Sequence, residues 1–188
     1  MEVLRKNSSP KFIADKIVQG KVIIVPTDTV YGIACDASNE QAVKKIYLIK
    51  KRQFNKPNAV LFAHDYSLIN KWVSISSKYM KDVKNAWPGA TTFILPSKKN
   101  LPLQGKTLGV RVPNHEKLLE VLKLIDRPLV ATSLNESGKL ELRDKATIVK
   151  LFEELYISPT YFWNFGTIAF NKPSKIIDLT NNKKVIRN

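Results

Sequence analysis

Short β-branched runs alternate with amphipathic helical stretches through the first half of the chain, and in the second half strands follow one another. No other feature constrains the fold as tightly. Ser9-Pro10 reads as an N-cap followed by proline at the first helical position, with Phe12, Ile13 and Ile17 at helical spacing up to Gly20. Lys21 to Val25 is a β-branched strand stopped by Pro26. Ser38 to Gln41 reads as a capping box, and Ala42, Val43, Ile46 and Ile49 form the apolar stripe of a helix ending near Lys50-Lys51-Arg52. The pattern then predicts a strand at Ala59–Ala63, helices at Ser67–Trp72 and Ser77–Ala86, and strands at Thr91–Leu95 and Thr107–Val112. Asn114 is the expected cap of a helix with Leu118, Leu119, Leu122 and Ile125 on one face. A strand at Leu129–Thr132, a helix from Asp144 through Leu155, and strands at Thr167–Phe170, Lys175–Leu179 and Val185–Arg187 complete the reading. Early alternation followed by strands implies an α/β fold: a single domain over residues 1–188, built on one mixed sheet with helices on its faces.

A chain of 188 residues is sized for one core. With 44% hydrophobic and 25% charged residues, disorder, collagen and coiled coil are excluded. No apolar run approaches the ~18 residues of a membrane span, and Met-Glu-Val-Leu-Arg-Lys lacks the apolar stretch of a signal peptide, so a cytoplasmic location is expected. Cys35 alone cannot form an internal disulfide, and with only His64 and His115 beside it there is no zinc-ligand spacing. Lys and Arg total 31 against 16 acids, a net charge of +15, which suits an anionic partner such as nucleotide, RNA or phosphate. A lysine-rich surface of solvated charge explains the same total. The arginines are more selective. There are 6 of them against 25 lysines, and Arg52, Arg111 and Arg187 fall in segments that look functional on other grounds. In such a chain an arginine marks a place where a planar fork for carboxylate or phosphate is required.

The sequence contains no G-x-x-x-x-G-K-[ST], G-x-G-x-x-G or G-x-S-x-G, which removes Walker ATPases, Rossmann dehydrogenases and α/β-hydrolases. What remains is a set of polar segments at strand and helix ends. Pro26-Thr27-Asp28-Thr29-Val30-Tyr31-Gly32 gathers two hydroxyls, a carboxylate and a phenol after a buried strand; such residues bind a carboxylate or phosphate, or merely make the turn. Lys50-Lys51-Arg52, with Lys56-Pro57 beyond, holds polyphosphate or only complements a helix dipole. Thr132-Ser133-Leu134-Asn135-Glu136-Ser137-Gly138 suits a phosphate or ribose, and equally a surface loop. Arg111 in Gly109-Val110-Arg111-Val112-Pro113, and Arg187, face either a groove or solvent.

Taken together, these segments resemble the YrdC-like threonylcarbamoyl-AMP synthases from about Ile23 to Arg187. The resemblance rests on Pro26–Gly32, Ile46-Tyr47-Leu48-Ile49-Lys50-Lys51-Arg52 with Pro57, Trp87-Pro88-Gly89-Ala90-Thr91-Thr92, Val110-Arg111-Val112-Pro113, Thr132–Gly138, Pro173-Ser174-Lys175-Ile176-Ile177-Asp178 and Ile186-Arg187, in that order. The chain departs from the family pattern at Gln53, usually proline, at Leu134, usually alanine, at Lys175, usually threonine, and at Asn188, usually glycine. It is similar to the short, single-domain form.

The resemblance implies a YrdC-like fold and a nucleotidyltransferase that makes threonylcarbamoyl-adenylate and pyrophosphate from L-threonine, bicarbonate and ATP, with Mg2+ on the phosphates and no metal-ligating residues assigned. The product would serve a tRNA-modifying transferase complex downstream. By position, Lys50 and Arg52 are the candidate catalytic residues and hold the phosphates. Ser133, Asn135 and Ser174 hold the adenylate, and Arg187 reaches the α-phosphate. Thr29, Tyr31 and Arg111 line the threonine and bicarbonate pocket, and His64 is structural or exposed. The alternative is a non-catalytic RNA-binding module in tRNA or ribosome maturation, for which the positive charge suffices.

Overall fold

The computed structural model describes residues 1–54, 58–103, 105–134, 142–153, 155–168 and 172–188. Its frame is a ten-stranded sheet with the order β1-β8-β2-β3-β7-β4-β6-β5-β9-β10. The strands are β1 (Glu2–Leu4), β2 (Ile23–Val25), β3 (Gly32–Asp36), β4 (Ala59–Leu61), β5 (Thr91–Pro96), β6 (Thr107–Arg111), β7 (Leu129–Ser133), β8 (Tyr161–Trp163), β9 (Lys175–Asp178) and β10 (Lys184–Arg187). Parallel pairs (β1/β8, β2/β8, β4/β6, β5/β9) mix with antiparallel ones. The expected mixed α/β sheet is therefore present.

Helices α1 (Pro10–Val18), α2 (Glu40–Ile49), α3 (Tyr66–Trp72), α4 (Met80–Ala86), α5 (Glu116–Ile125) and α6 (Lys145–Glu153) divide between the two faces. On one face α2, α3, α4 and α6 pack onto Ile24, Ile33, Cys35, Val60, Phe62, Phe93 and Val110. On the other, α1 and α5 place Ile13, Ile17, Leu118, Val121, Leu122 and Ile125 against Ile23, Val25, Ala34, Leu61, Leu129 and Trp163. Gly20 closes α1 at φ +78°, and a Cβ there would stand 2.6 Å from the Asn39 amide, so glycine is required.

Several local expectations are corrected. The cap of α2 is Asn39, whose side chain accepts from Ala42 N, because Ser38 turns back and donates its hydroxyl to Asp36. The cap of α5 is His115, accepting from Leu118 N, and not Asn114. Ser9 stands at the N-cap of α1 without a side-chain cap bond, so Pro10 is what starts that helix. Helix α6 ends at Glu153 rather than Leu155. Thr167 and Ile168 lie in no strand, and positions 169–170 of that expected strand are outside the described residues. The strand of that region is β8 instead, paired with β1 and β2. Strand β3 was not expected, because Gly32-Ile33-Ala34-Cys35-Asp36 is buried throughout and shows no alternation.

Candidate active site

A row of small residues crosses the sheet on the α1/α5 face. Ala34 pairs with Ala131, Ala131 with Ala59, and Ala59 with Gly109. Paired residues point to the same face, so four strands present almost no side chain along this line. Above this part of the sheet lies a cavity of about 210 Å³, with Gly32, Ala59, Leu61 and Ala131 among its lining residues. A Cβ on Gly109 would already touch Thr92 at 3.4 Å.

Polar groups come to this floor from the ends of many elements. The β2–β3 turn brings Thr27 and Thr29, the end of α2 brings Arg52, β6 brings Arg111, β7 brings Thr132 and Ser133, and β9 and β10 bring Ser174 and Arg187. Half of the chain's 6 arginines thus meet in one cavity, the three singled out by their scarcity.

Arg111 is the most firmly held. It is 6% exposed, and donates from Nε to Gly89 O (3.0 Å), from Nη1 to Thr29 Oγ1 (3.1 Å) and from Nη2 to Asp28 Oδ1 (2.5 Å). Gly89 is fixed in turn by donating to Val112 O at 2.8 Å, and a Cβ there would meet Ala86 O at 2.7 Å, which requires glycine. Thr27 Oγ1 gives its proton to Val30 O (2.6 Å) and accepts from the amides of Thr29 and Val30 (3.1 Å each). Its 3.0 Å contact with Thr29 Oγ1 therefore has Thr29 as donor. A directed chain runs from Arg111 through Thr29 and Thr27 to the backbone.

The opposite wall is built by Ser174, which is buried and sits 2.9 Å from Thr92 Oγ1. Arg187 donates to Ser174 O (2.9 Å) and Ser174 Oγ (3.1 Å), holding the strand end of β10 against the cavity. Arg52 Nη1 reaches Thr132 Oγ1 at 3.4 Å.

Two expected site residues lie elsewhere. Tyr31 is fully buried on the α2 face, edge-on to Phe162, with its hydroxyl donating to Gly166 O and accepting from Phe165 N, both 2.8 Å. It follows Thr29 by two residues, but it packs into the core and anchors the 164–166 segment instead of lining the cavity. Burial raises its pKa, opposed by the Phe165 amide. Lys50 is 9% exposed, with Nζ donating to Ser133 O at 2.6 Å. It borders a smaller cavity of about 30 Å³ with Leu134 and Phe152, so it supports the Ser133 loop from behind. Asn135 lies outside the described residues. His64 is exposed and edge-on to Tyr66.

Sequence reasoning missed Asp28 as the partner of Arg111, together with the cavity-lining Ala59 and Ala131. Neither left a local signal. Cys35 is buried and its thiol pKa is pushed far up, first by burial and then by Asp36, which removes it as a nucleophile. Among the described residues no group of three His, Cys, Asp or Glu side chains could hold a metal ion.

The family model for Sua5, YciO and YrdC proteins, described as "Telomere recombination", matches residues 15–188. A putative threonylcarbamoyl-AMP synthase of Methanocaldococcus jannaschii is 34% identical over 92% of this chain and 81% of its own. The chain belongs to the Sua5/YciO/YrdC family. The threonylcarbamoyl-AMP synthase of Pseudoalteromonas translucida is 34% identical over 89% of this chain and 91% of its own. Among solved structures, P. abyssi Sua5 complexed with L-threonine superposes with a TM-score of 0.84 at 29% identity, covering 96% of this chain. This chain spans about half of that protein, 54% of its length. E. coli YciO has the same fold, with a TM-score of 0.85 at 23% identity over 100% of this chain and 94% of its own. The Sua5/YciO/YrdC fold is thus the frame on which the arginine-lined cavity is carried.

Proposed function

We propose that this member of the Sua5/YciO/YrdC family is a threonylcarbamoyl-AMP synthase, and that the cavity above the small-residue floor is its active site. The observation that carries this reading is the convergence of Arg52, Arg111 and Arg187 with the hydroxyls of Thr29, Ser133 and Ser174 on one cavity. The naming of its relatives and the threonine bound to P. abyssi Sua5 support it.

The reaction joins three reactants of which two are anions. The threonine amine captures the carbon of bicarbonate as a carbamate, releasing water. A carbamate oxygen then attacks the α-phosphorus of ATP in line, the bond from that phosphorus to the bridging oxygen breaks, and pyrophosphate leaves. Such chemistry depends on positioning and charge neutralisation more than on a strong base. Arg52 neutralises the phosphates and the departing pyrophosphate, with Lys50 adding positive charge behind the Ser133 loop. Arg187 and Ser174 hold the α-phosphate end, and Ser133 with Asn135 holds the adenylate. Arg111 and Thr29 receive the threonine carboxylate or bicarbonate. Guanidiniums suit these tasks because their planar forks match carboxylate and phosphate oxygens. Magnesium enters with ATP, as part of the substrate.

The adenylate is a reactive mixed anhydride, and a tRNA-modifying transferase complex in the cytoplasm consumes it. Among the described residues no helix is long and apolar enough to cross a membrane. Any direct RNA contact is weak and made by the lysine-rich surface.

Incubation of the protein with ATP, magnesium, bicarbonate and L-threonine tests the reading. The expected result is threonine-dependent pyrophosphate together with the adenylate by mass. Free phosphate as the sole product, or pyrophosphate release indifferent to threonine, would overturn it.

A further inference from the structure

Threonine differs from serine by a single methyl group on its β-carbon, so a site that prefers threonine needs an apolar surface where that methyl falls. The sheet places one beside Arg111. Leu61 on β4 is in parallel register with Arg111 on β6, and both line the cavity. Paired residues on neighbouring strands stand on one face, about 4.8 Å apart. On the other side of Arg111 the pairing of Phe93 with Val110 puts Thr92 next in the row. The order across these three strands is therefore aliphatic, guanidinium, hydroxyl.

Leu61 is also fixed in place. It is 3% exposed, belongs to the core under α1 and α5, and is backed by Leu129, its partner on β7. What it offers the cavity is a rigid wall. Along the neighbouring row the side chains stop at Cβ or before it, with Ala59, Ala131 and Gly109. Ile176 pairs with Thr92 and so lies two strands from Arg111, on the Ser174 side. Val30 lines the cavity from the β2–β3 turn, directly after the Thr29 whose hydroxyl Arg111 holds.

Building on the synthase reading above, in which Arg111 receives the threonine carboxylate, we infer that Leu61 is the specificity-determining residue that reads the threonine methyl. The β-carbon sits just beyond the α-carbon, so a carboxylate docked on Arg111 leaves the β-substituents within one strand spacing of the guanidinium. The methyl lies on Leu61 and the hydroxyl points to the side of Thr29 and Thr92. Serine leaves the Leu61 surface uncovered. L-allo-threonine, with methyl and hydroxyl exchanged, presses a hydroxyl without a partner against Leu61, which a pocket penalises more than a missing methyl.

Pyrophosphate release with saturating ATP, magnesium and bicarbonate, measured for L-threonine, L-serine and L-allo-threonine in wild-type protein and Leu61→Ala beside a thermal melt, tests this. A methyl in an apolar pocket is worth about 10–200-fold in kcat/KM, so the wild-type threonine-to-serine ratio is expected at or above about tenfold, with allo-threonine poorest. In Leu61→Ala that ratio falls at least about fivefold and allo-threonine gains on threonine. A merely structural role lowers all three substrates together and leaves their ratios alone; that result would overturn the inference, as would a ratio that collapses in Val30→Ala and not in Leu61→Ala. If Leu61→Ala does not fold, Leu61→Val decides: a fall of at least about twofold in the ratio supports the role, and a wild-type ratio contradicts it. A wild-type enzyme that uses threonine and serine equally removes this inference alone. A wild-type protein without threonine-dependent pyrophosphate removes the synthase reading and this inference with it.

Discussion

Neighbouring residues on the same strands of this sheet do opposite work on its two faces. Along β3, Ile33 and Cys35 enter the packed face under α2, whereas Gly32 borders the cavity. The contrast repeats on β4, between Val60 and Ala59, and on β6, between Val110 and Gly109. Strand alternation lets one segment build a core with every second residue and leave room for substrates with the others. Stability and chemistry are thereby assigned to interleaved positions, so single substitutions one residue apart should separate them.

The largest effect is expected on the packed face. Ile33→Ala removes a fully buried side chain, and should cost about 2–5 kcal/mol in denaturant unfolding. The threonine KM of the remaining folded enzyme should be unchanged. A large rise in KM would mean that the two faces are not separable. On the cavity side, Arg52→Ala should lower turnover at least about 100-fold, because losing one preorganised charged donor costs roughly 2.7–4 kcal/mol at a transition state. Arg52→Lys should rescue incompletely, and the melting temperature should hardly move. Near-wild-type turnover would reduce Arg52 to a complement of the α2 dipole.

Smaller still is Ser133→Ala, which should weaken ATP binding by calorimetry and leave the melting temperature within a few degrees, since a short polar group at a partly exposed strand end contributes little to folding. Unchanged ATP affinity with lost stability would make this loop structural. The smallest effect concerns His115, the α5 cap. Its pKa is lowered from 6.5, chiefly by burial, although Asp28 opposes the shift. The unfolded chain therefore binds the proton first as pH falls, and stability present above about pH 6.5 should decline below it. His115→Asn keeps a capping acceptor and should flatten that decline in thermal melts between pH 7 and pH 5. The capping carboxylates Asp65, lowered first by the Ser67 hydroxyl and then by the Ser67 and Leu68 amides, and Asp144, lowered first by the Thr147 amide, titrate outside this window.

What could be read in the sequence was local, and what could not was paired at a distance. The apolar stripe of α2 and its basic end were legible, as were the strands around Val110 and Ile177. Arg52, Arg111 and Arg187 could also be singled out, because an arginine stands out against lysine, and the three line one cavity. Asp28 as the partner of Arg111 was not legible, because 83 residues separate them and only the meeting of β6 with the turn after β2 joins them. The small-residue floor escaped for the same reason. Ala34, Ala59, Gly109 and Ala131 are ordinary in their own strands and become a feature only through register. Tyr31 shares its motif with the cavity-lining Thr29, but strand alternation and burial turn its ring against Phe162 instead.

The claim that the bare floor is where both substrates sit is tested most directly by filling it. Ala59 is partly exposed and borders the cavity, so Ala59→Leu adds apolar volume into open space without displacing core side chains. Paired calorimetric titrations with ATP and with L-threonine, beside a thermal melt, give the answer. The expected result is a melting temperature within a few degrees of wild type and loss of binding for both ligands. Wild-type affinity for either ligand in a folded Ala59→Leu protein would contradict the account.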